Sequence, residues 1–137
     1  MKALKLIVTH GTWSAVLCLP SDISLDQLAQ AIIRAVGFDL DHCFGFYDNL
    51  KNPNRSEEEY TLFADIGEEV KEGDIGVETT PISTAFHPGK KMTFLFDYGD
   101  SWMFLVTCTE EVEMRAFKRP KILSTVGTAP VQYPDYE

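Results

Sequence analysis

Residues 93–108 read TFLFDYGDSWMFLVTC: two apolar runs separated by a short acidic turn. Runs rich in Phe, Leu, Val and Thr and bounded by Gly, Asp and Ser are strand signals. The four residues between them, Tyr98, Gly99, Asp100 and Ser101, are turn formers. The stretch therefore predicts an antiparallel hairpin with strands at about 91–97 and 102–110. Gly99, lacking a Cβ, is expected to take the positive φ of the bend. Two close-set carboxylates, Asp97 and Asp100, bracket that turn beside Trp102.

The rest of the chain supplies the partners of this hairpin. Leu4, Leu6 and Val8 alternate over residues 3–9, and Trp13, Ala15, Leu17 and Leu19 over 13–19. His10 and Gly11 lie between them, which predicts a second antiparallel hairpin. After Pro20, Ser24 and Gln27 form the S-x-x-Q pattern of a capping box. Leu25, Leu28, Ala29, Ile32, Ile33 and Val36 then recur at helical spacing, and Gly37 suits the position after the last turn. The spacing predicts a helix over 24–36 lying flat on the sheet. Residues 43–47 read as a short strand and 48–59 as a polar loop. From Glu57 to Glu78 nine acidic residues face one basic residue, Lys71. That composition predicts a solvated surface with a brief strand or turn near 60–63. The acids of GEEVKEGDIGVE lack the alternate spacing around a central Gly that a calcium loop requires. Pro81 fits the first turn of a short helix near 81–86, with Thr80 as its cap and Phe86 as its buried end.

Composition bounds the functional classes. A chain of 137 residues suits one domain, which at this size buries roughly 65–70% of its unfolded surface. The fold class is α+β, a single domain of about five or six mainly antiparallel strands with one long helix on one face and a short second helix. Net charge is −9, which argues against sequence-independent nucleic-acid binding, because that affinity comes from Lys and Arg neutralising phosphates. Cys18, Cys43 and Cys108 are odd in number and lie in apolar runs, so they read as buried small hydrophobes in a reduced compartment. No CxxC is present, so no structural zinc is expected. The first residues lack the continuous apolar core of a signal peptide, and no run approaches the roughly 20 residues of a membrane span. A cytoplasmic protein with no membrane contact is expected.

The segment FDYGDSW followed by an apolar strand, with VGTAPVQYPDYE at the end, resembles the family named for open reading frame three of the Ri plasmid A4b. The matching positions are Asp97, Gly99, Asp100 and Trp102 in the hairpin, and Gly127, Pro130 and Tyr133 in the tail. Many members of that family carry Tyr-Asp-Phe-Gly-Asp and a His two residues after the Trp. Here the flanking aromatics are Phe96 and Tyr98, and Phe104 stands at the His position. Members occur as passengers of insertion elements, some with a resolvase-like label, so the resemblance implies a mobile-element setting and transfers no reaction.

Four groups of residues are candidates for function. Asp97 and Asp100 can serve as metal ligands or acid–base groups, or as Asx-turn acceptors that stabilise the bend; the turn role is the expectation. His42 precedes Cys43, but neighbours in an extended strand point to opposite faces, so they form no dyad. His10, His42 and His87 share no ligand spacing, so surface or capping roles are expected. Arg115, Lys118, Arg119 and Lys121, with Lys90 and Lys91, form the one basic feature. They read as a solvated strand end balancing Glu110, Glu111 and Glu113. The Pro/Tyr-rich tail over 122–137, with Pro130, Tyr133 and Tyr136, is expected to dock on the domain, since two Tyr rings bury large apolar area at low entropic cost. No GxSxG, P-loop or GxGxxG fingerprint is present. The sequence therefore reads as a non-catalytic binding or protein-interaction module without cofactor or metal, taking a protein partner or a second copy of itself rather than nucleic acid. The alternative is a mobile-element accessory acting on DNA, or a metal-dependent enzyme using Asp97 and Asp100.

Overall fold

The computed structural model describes residues 1–67 and 75–134. Tyr136 and residues 68–74, which carry part of the acidic stretch and of the calcium-loop comparison, lie outside the described residues. The elements run β1 (Lys2–His10), β2 (Trp13–Pro20), α1 (Leu25–Val36), β3 (Phe44–Tyr47), β4 (Glu59–Thr61), α2 (Leu62–Ile66), β5 (Ile75–Gly76), α3 (Ile82–Ala85), β6 (Lys91–Phe96), β7 (Trp102–Glu113) and β8 (Lys121–Val126). They build one eight-stranded sheet in the order β5-β4-β3-β6-β7-β1-β2-β8. Every pairing is antiparallel except β4 with β5. The α+β class with one longer helix is thus the observed fold.

Alternation along the strands sends Leu4, Leu6, Val8, Ala15, Leu17, Phe94, Phe96, Phe104 and Val106 to one face, where they form the buried core with α1. The helix begins as the capping box dictates: Ser24 accepts from the Gln27 amide (3.2 Å) and Gln27 accepts from the Ser24 amide (3.1 Å). It ends with Gly37 in the left-handed region, φ 80°. Its amide and that of Phe38 both donate to the Ile33 carbonyl at 3.0 Å, a termination that turns the chain back across the helix end. This places Phe38 against Phe96, Trp102 and Phe104, and so lays residues 38–42 over the tip of the β6–β7 hairpin.

Several expectations are corrected. Among the described residues the strands number eight rather than five or six: β4 is the brief strand expected near 60–63, and β5 and β8 are additional. Residues 121–126 are strand β8, paired with β2 from Ser14↔Val126 to Cys18↔Lys121, so only the chain after Gly127 behaves as a tail. α3 starts from Pro81, without a side-chain cap; Thr80 instead donates its hydroxyl to the Gly76 carbonyl (2.5 Å). Phe86 is the buried end of that helix, as its sequence requires. Cys18 and Cys108 are buried, whereas Cys43 is half-buried. The second sheet face is covered unevenly. Tyr98 packs on Phe63 of α2 and shares a 2.5 Å hydroxyl contact with Tyr47, closing that face over β3. Among the described residues it stays open over β1, β2 and β7, with Ile7, Val16 and Leu105 half-buried and Met103 exposed.

Candidate functional site

The hairpin tip is shaped by Asp97. Its Oδ1 accepts from the amides of Gly99 (3.1 Å) and Asp100 (3.3 Å), and its carbonyl accepts from the Ser101 amide (2.5 Å). Its own amide donates to the Cys43 carbonyl (2.9 Å), which ties the tip to β3. The positive φ falls on Asp97 (62°) and Ser101 (54°), and Gly99 is not among the positive-φ residues. The glycine expectation is therefore corrected. Asp tolerates the left-handed region because its side chain satisfies local amides, and here it satisfies two. A Cβ on Gly99 would lie 3.4 Å from Asp97 Oδ1, in ordinary contact.

Around this tip the fold gathers groups that are distant in sequence. Asp97, buried, presents Oδ2 at 3.5 Å from His42 Nδ1. His42 Nδ1 lies 2.7 Å from Asp41 Oδ1 and donates to it. Tyr133, from the tail, donates its hydroxyl to Asp41 Oδ2 (2.6 Å). Gln132 beside it is buried: its Oε1 accepts from the Asp39 amide (2.7 Å), and its Nε2 donates to the Asp39 carbonyl and to Asp41 Oδ1, each 3.1 Å. The tail thus docks on the 39–42 segment, but through hydrogen bonds rather than by the expected ring burial, for Tyr133 stays 51% exposed.

The electrostatics follow from these contacts. The Tyr133 and His42 hydrogen bonds hold the Asp41 carboxyl below its ordinary range. The Asp41 hydrogen bond, helped by the fields of Asp97 and Asp100, lifts His42 above its ordinary value. The same carboxylate pushes the Tyr133 phenol up to about 12.

Against this cluster opens a cleft of about 500 Å³, lined by His10, Asp100, Ser101, Trp102, Gln132, Tyr133 and Pro134. His10 Nδ1 donates to the Met103 carbonyl (2.9 Å), which fixes the tautomer of a neutral ring and leaves Nε2 as its acceptor. Trp102 packs edge-on against Phe38 and tilts against His10. Its indole nitrogen is buried and has no hydrogen-bond partner among the described residues. The Asp100 carboxylate is exposed and enters no hydrogen bond or ion pair among the described residues. Phe104 is fully buried among Trp13, Phe38 and Phe94, so that position belongs to the core and not to the cleft wall.

The hairpin residues Asp97, Asp100 and Trp102 are therefore brought together with Tyr133 of the tail, while Pro130 is half-buried behind it. The basic residues are not. Lys121 pairs with Cys18 at the far end of the sheet, and its ammonium sits 4.7 Å over the Phe117 ring. Glu110 and Glu111 face Lys5 (3.1 Å) and Lys2 (3.6 Å), and Glu113 faces the amino terminus (3.4 Å). The expected balance between these glutamates and the Arg115–Lys121 cluster is corrected accordingly. Lys90 is taken by Glu58 (2.7 Å). Asp41 and Gln132 are residues of the candidate site that sequence reasoning missed, and His10 and His42 are residues it set aside as surface or capping groups. Only the fold shows that the helix end, the β1 end and the tail converge on one hairpin.

A mainly antiparallel sheet with one long helix on its core face, and a mixed polar and aromatic cleft at one hairpin tip, defines the class. The chain belongs to the plasmid pRiA4b ORF-3-like protein family, whose model matches residues 11–132. That span contains α1, the hairpin and the tail as far as Gln132. The chain is also similar to the crystal structure of a protein of unknown function, MM3350 from Methanosarcina mazei Go1. The TM-score is 0.70 with 16% identity, covering 94% of this chain and 71% of that one. At that identity the likeness concerns the fold alone. No curated protein matches. Among the described residues no helix is long and apolar enough to cross a membrane.

Proposed function

We propose that the protein is a non-catalytic binding module whose hairpin–tail cleft takes a basic side chain of a protein partner. The observation that carries this reading is the Asp100 carboxylate, exposed in a cleft that Trp102 and Tyr133 also line, with no internal partner among the described residues. Aromatic faces beside a carboxylate attract a guanidinium or ammonium by cation–π and Coulomb terms together. Asp41 and Asp97 add negative field nearby, and the net charge of −9 steers cations toward the molecule. Asp97 is less suited to metal or acid–base work, because Oδ1 is spent on two turn amides.

Titration of the labelled protein with acetyl-Gly-Arg-Gly-amide, followed by amide chemical shifts, tests the reading. Shifts are expected at His10, Asp100, Trp102 and Tyr133. Asp100→Asn should weaken the effect by about fivefold, the worth of one semi-exposed ion pair near 1 kcal/mol. Equal shifts from acetyl-Gly-Glu-Gly-amide, or none in the cleft, overturn it. A micromolar heat with Mg²⁺, Mn²⁺ or Zn²⁺ that disappears in Asp100→Asn would replace it with the metal-dependent enzyme.

A further inference from the structure

The opposite end of the sheet carries a second feature that the cleft does not use. β8 is the terminal strand, paired with β2 on one side and, among the described residues, with no strand on the other. All six of its residues are exposed, Leu123 at 50% and Val126 at 64%. An unpaired edge offers a row of N–H and C=O groups, and proteins usually blunt such edges with Pro, charge or a bulge. Here the interior of β8, Ile122 to Thr125, has neither Pro nor charge, and its one irregularity is the single bulge at Leu123. The cations stand at one end only: Lys121 opens the strand, and Arg115, Lys118 and Arg119 precede it. The nearby Glu110, Glu111 and Glu113 are occupied by Lys5, Lys2 and the amino terminus. Arg115, Lys118 and Arg119 form no ion pair among the described residues.

The geometry points to strand addition at β8: an extended segment of a partner protein, apolar at alternate positions and acidic at its C-terminal end, pairs antiparallel with the edge. In that orientation its acids lie beside Lys121, Arg119 and Lys118, while its side chains meet Ile122 and Leu123. Charge complementarity selects this occupant over a second copy of the chain. Symmetric pairing of two β8 strands would set each basic end beside the partner strand's Val126–Gly127 end, where the sequence offers no acid. It would also join two bulges, since the register steps from Val16↔Ser124 to Leu17↔Ile122 and leaves Leu123 as the extra residue.

Fluorescence anisotropy with a labelled nonapeptide, alternating valine and threonine and ending in three aspartates, tests the inference. Saturable binding is expected, weakened at least about tenfold by Lys118→Glu with Arg119→Glu, which are exposed and lie outside any strand. A peptide N-methylated at alternate residues should also lose at least about tenfold, since it cannot complete the ladder. Leu123→Lys should weaken binding while Asp100→Asn leaves it unchanged, so that failure here is distinguishable from failure of the cleft. Undiminished binding of the N-methylated peptide overturns strand addition. Tighter binding of a short duplex DNA, competitive with the peptide, would assign the patch to nucleic acid. A dimer by sedimentation that Leu123→Lys dissolves, and the charge variant does not, would assign the edge to a second copy.

Discussion

Asp97 decides whether the hairpin is architecture or chemistry, and substitutions separate the two. Alanine would remove the acceptor of two amides from a buried turn and retain a left-handed φ, a combined cost of about 1–3 kcal/mol. Asparagine keeps the Oδ1 acceptor and tolerates that φ, so Asp97→Asn should cost less than about 1 kcal/mol by denaturant unfolding. A large loss of stability in the asparagine variant would mean that charge, and not the turn, is what the fold needs at 97. His42 gives a second test. Its raised pKa means that the folded state favours the imidazolium. That contribution is complete below the ordinary 6.5 and fades as pH rises through the raised value. Asp41 works in the other sense: its lowered pKa adds stability above the ordinary 3.8, lost as pH falls through the lowered value. Both contributions are present together between the two ordinary values, 3.8 and 6.5. Imidazole shifts should place the His42 midpoint above 6.5, and Asp41→Asn should bring it back down. An unchanged midpoint would detach His42 from the cluster. Of these residues the sequence offered Asp97, Asp100, Trp102 and Tyr133. Asp41 and His42 were illegible because their roles come from Tyr133 and Gln132, some ninety residues away.

Elements whose signals are local were readable, and those that depend on a distant neighbour were not. α1 carries its cap, its apolar stripe and its terminating glycine within its own sequence, β1 and β2 alternate, and β6 and β7 are apolar runs flanking a turn. β8 alternates poorly and exposes every side chain, so nothing in KILSTV distinguishes it from a tail until β2 supplies a ladder. α2 is only five residues long and rests on the Thr61 side chain, which accepts from the Ala64 amide (3.2 Å). The junction between β8 and the tail has a sharper requirement. Gly127 sits at φ 83°, and a Cβ there would lie 2.1 Å from the Thr12 carbonyl oxygen in the β1–β2 turn. Both the conformation and the space exclude a side chain. Gly127→Ala should therefore move the chain away from that turn at a cost of about 2–4 kcal/mol, or release the tail instead. Faster hydrogen exchange at the Asp39 amide, which Gln132 holds at 2.7 Å, would report release. Wild-type exchange together with wild-type stability would show that the close approach is not needed.

The whole molecule is electrically divided along its strands. The hairpin end gathers Asp41, Asp97 and Asp100 around the cleft, and the β8 start gathers Arg115, Lys118, Arg119 and Lys121. A chain with net charge −9 can hold a basic patch because the ion pairs of β1 with β7 neutralise the glutamates that would otherwise quench it. Along β2 the two ends are separated by the run from Ser14 to Cys18 and the chain beyond it, which is roughly 15 Å of extended strand. That exceeds the Debye length of about 8 Å at physiological salt, so charges placed at one end are largely screened from the other. The strands between them form one continuous ladder, through which coupling would require a second arrangement of the sheet. Cleft and edge should then bind independently. At about 0.15 M salt, saturating acetyl-Gly-Arg-Gly-amide should change the affinity of the acidic nonapeptide by less than about twofold. At about 0.01 M, where the screening length grows to about 30 Å, a modest mutual enhancement should emerge, because the two ligands carry opposite charge. Calorimetric titration of each ligand in the presence of the other measures this coupling directly. A coupling that is large at high salt, or that persists in Asp100→Asn, would mean that occupation of the cleft rearranges the sheet itself, and the fold would have to be redrawn as a two-state device rather than a rigid scaffold with two ends.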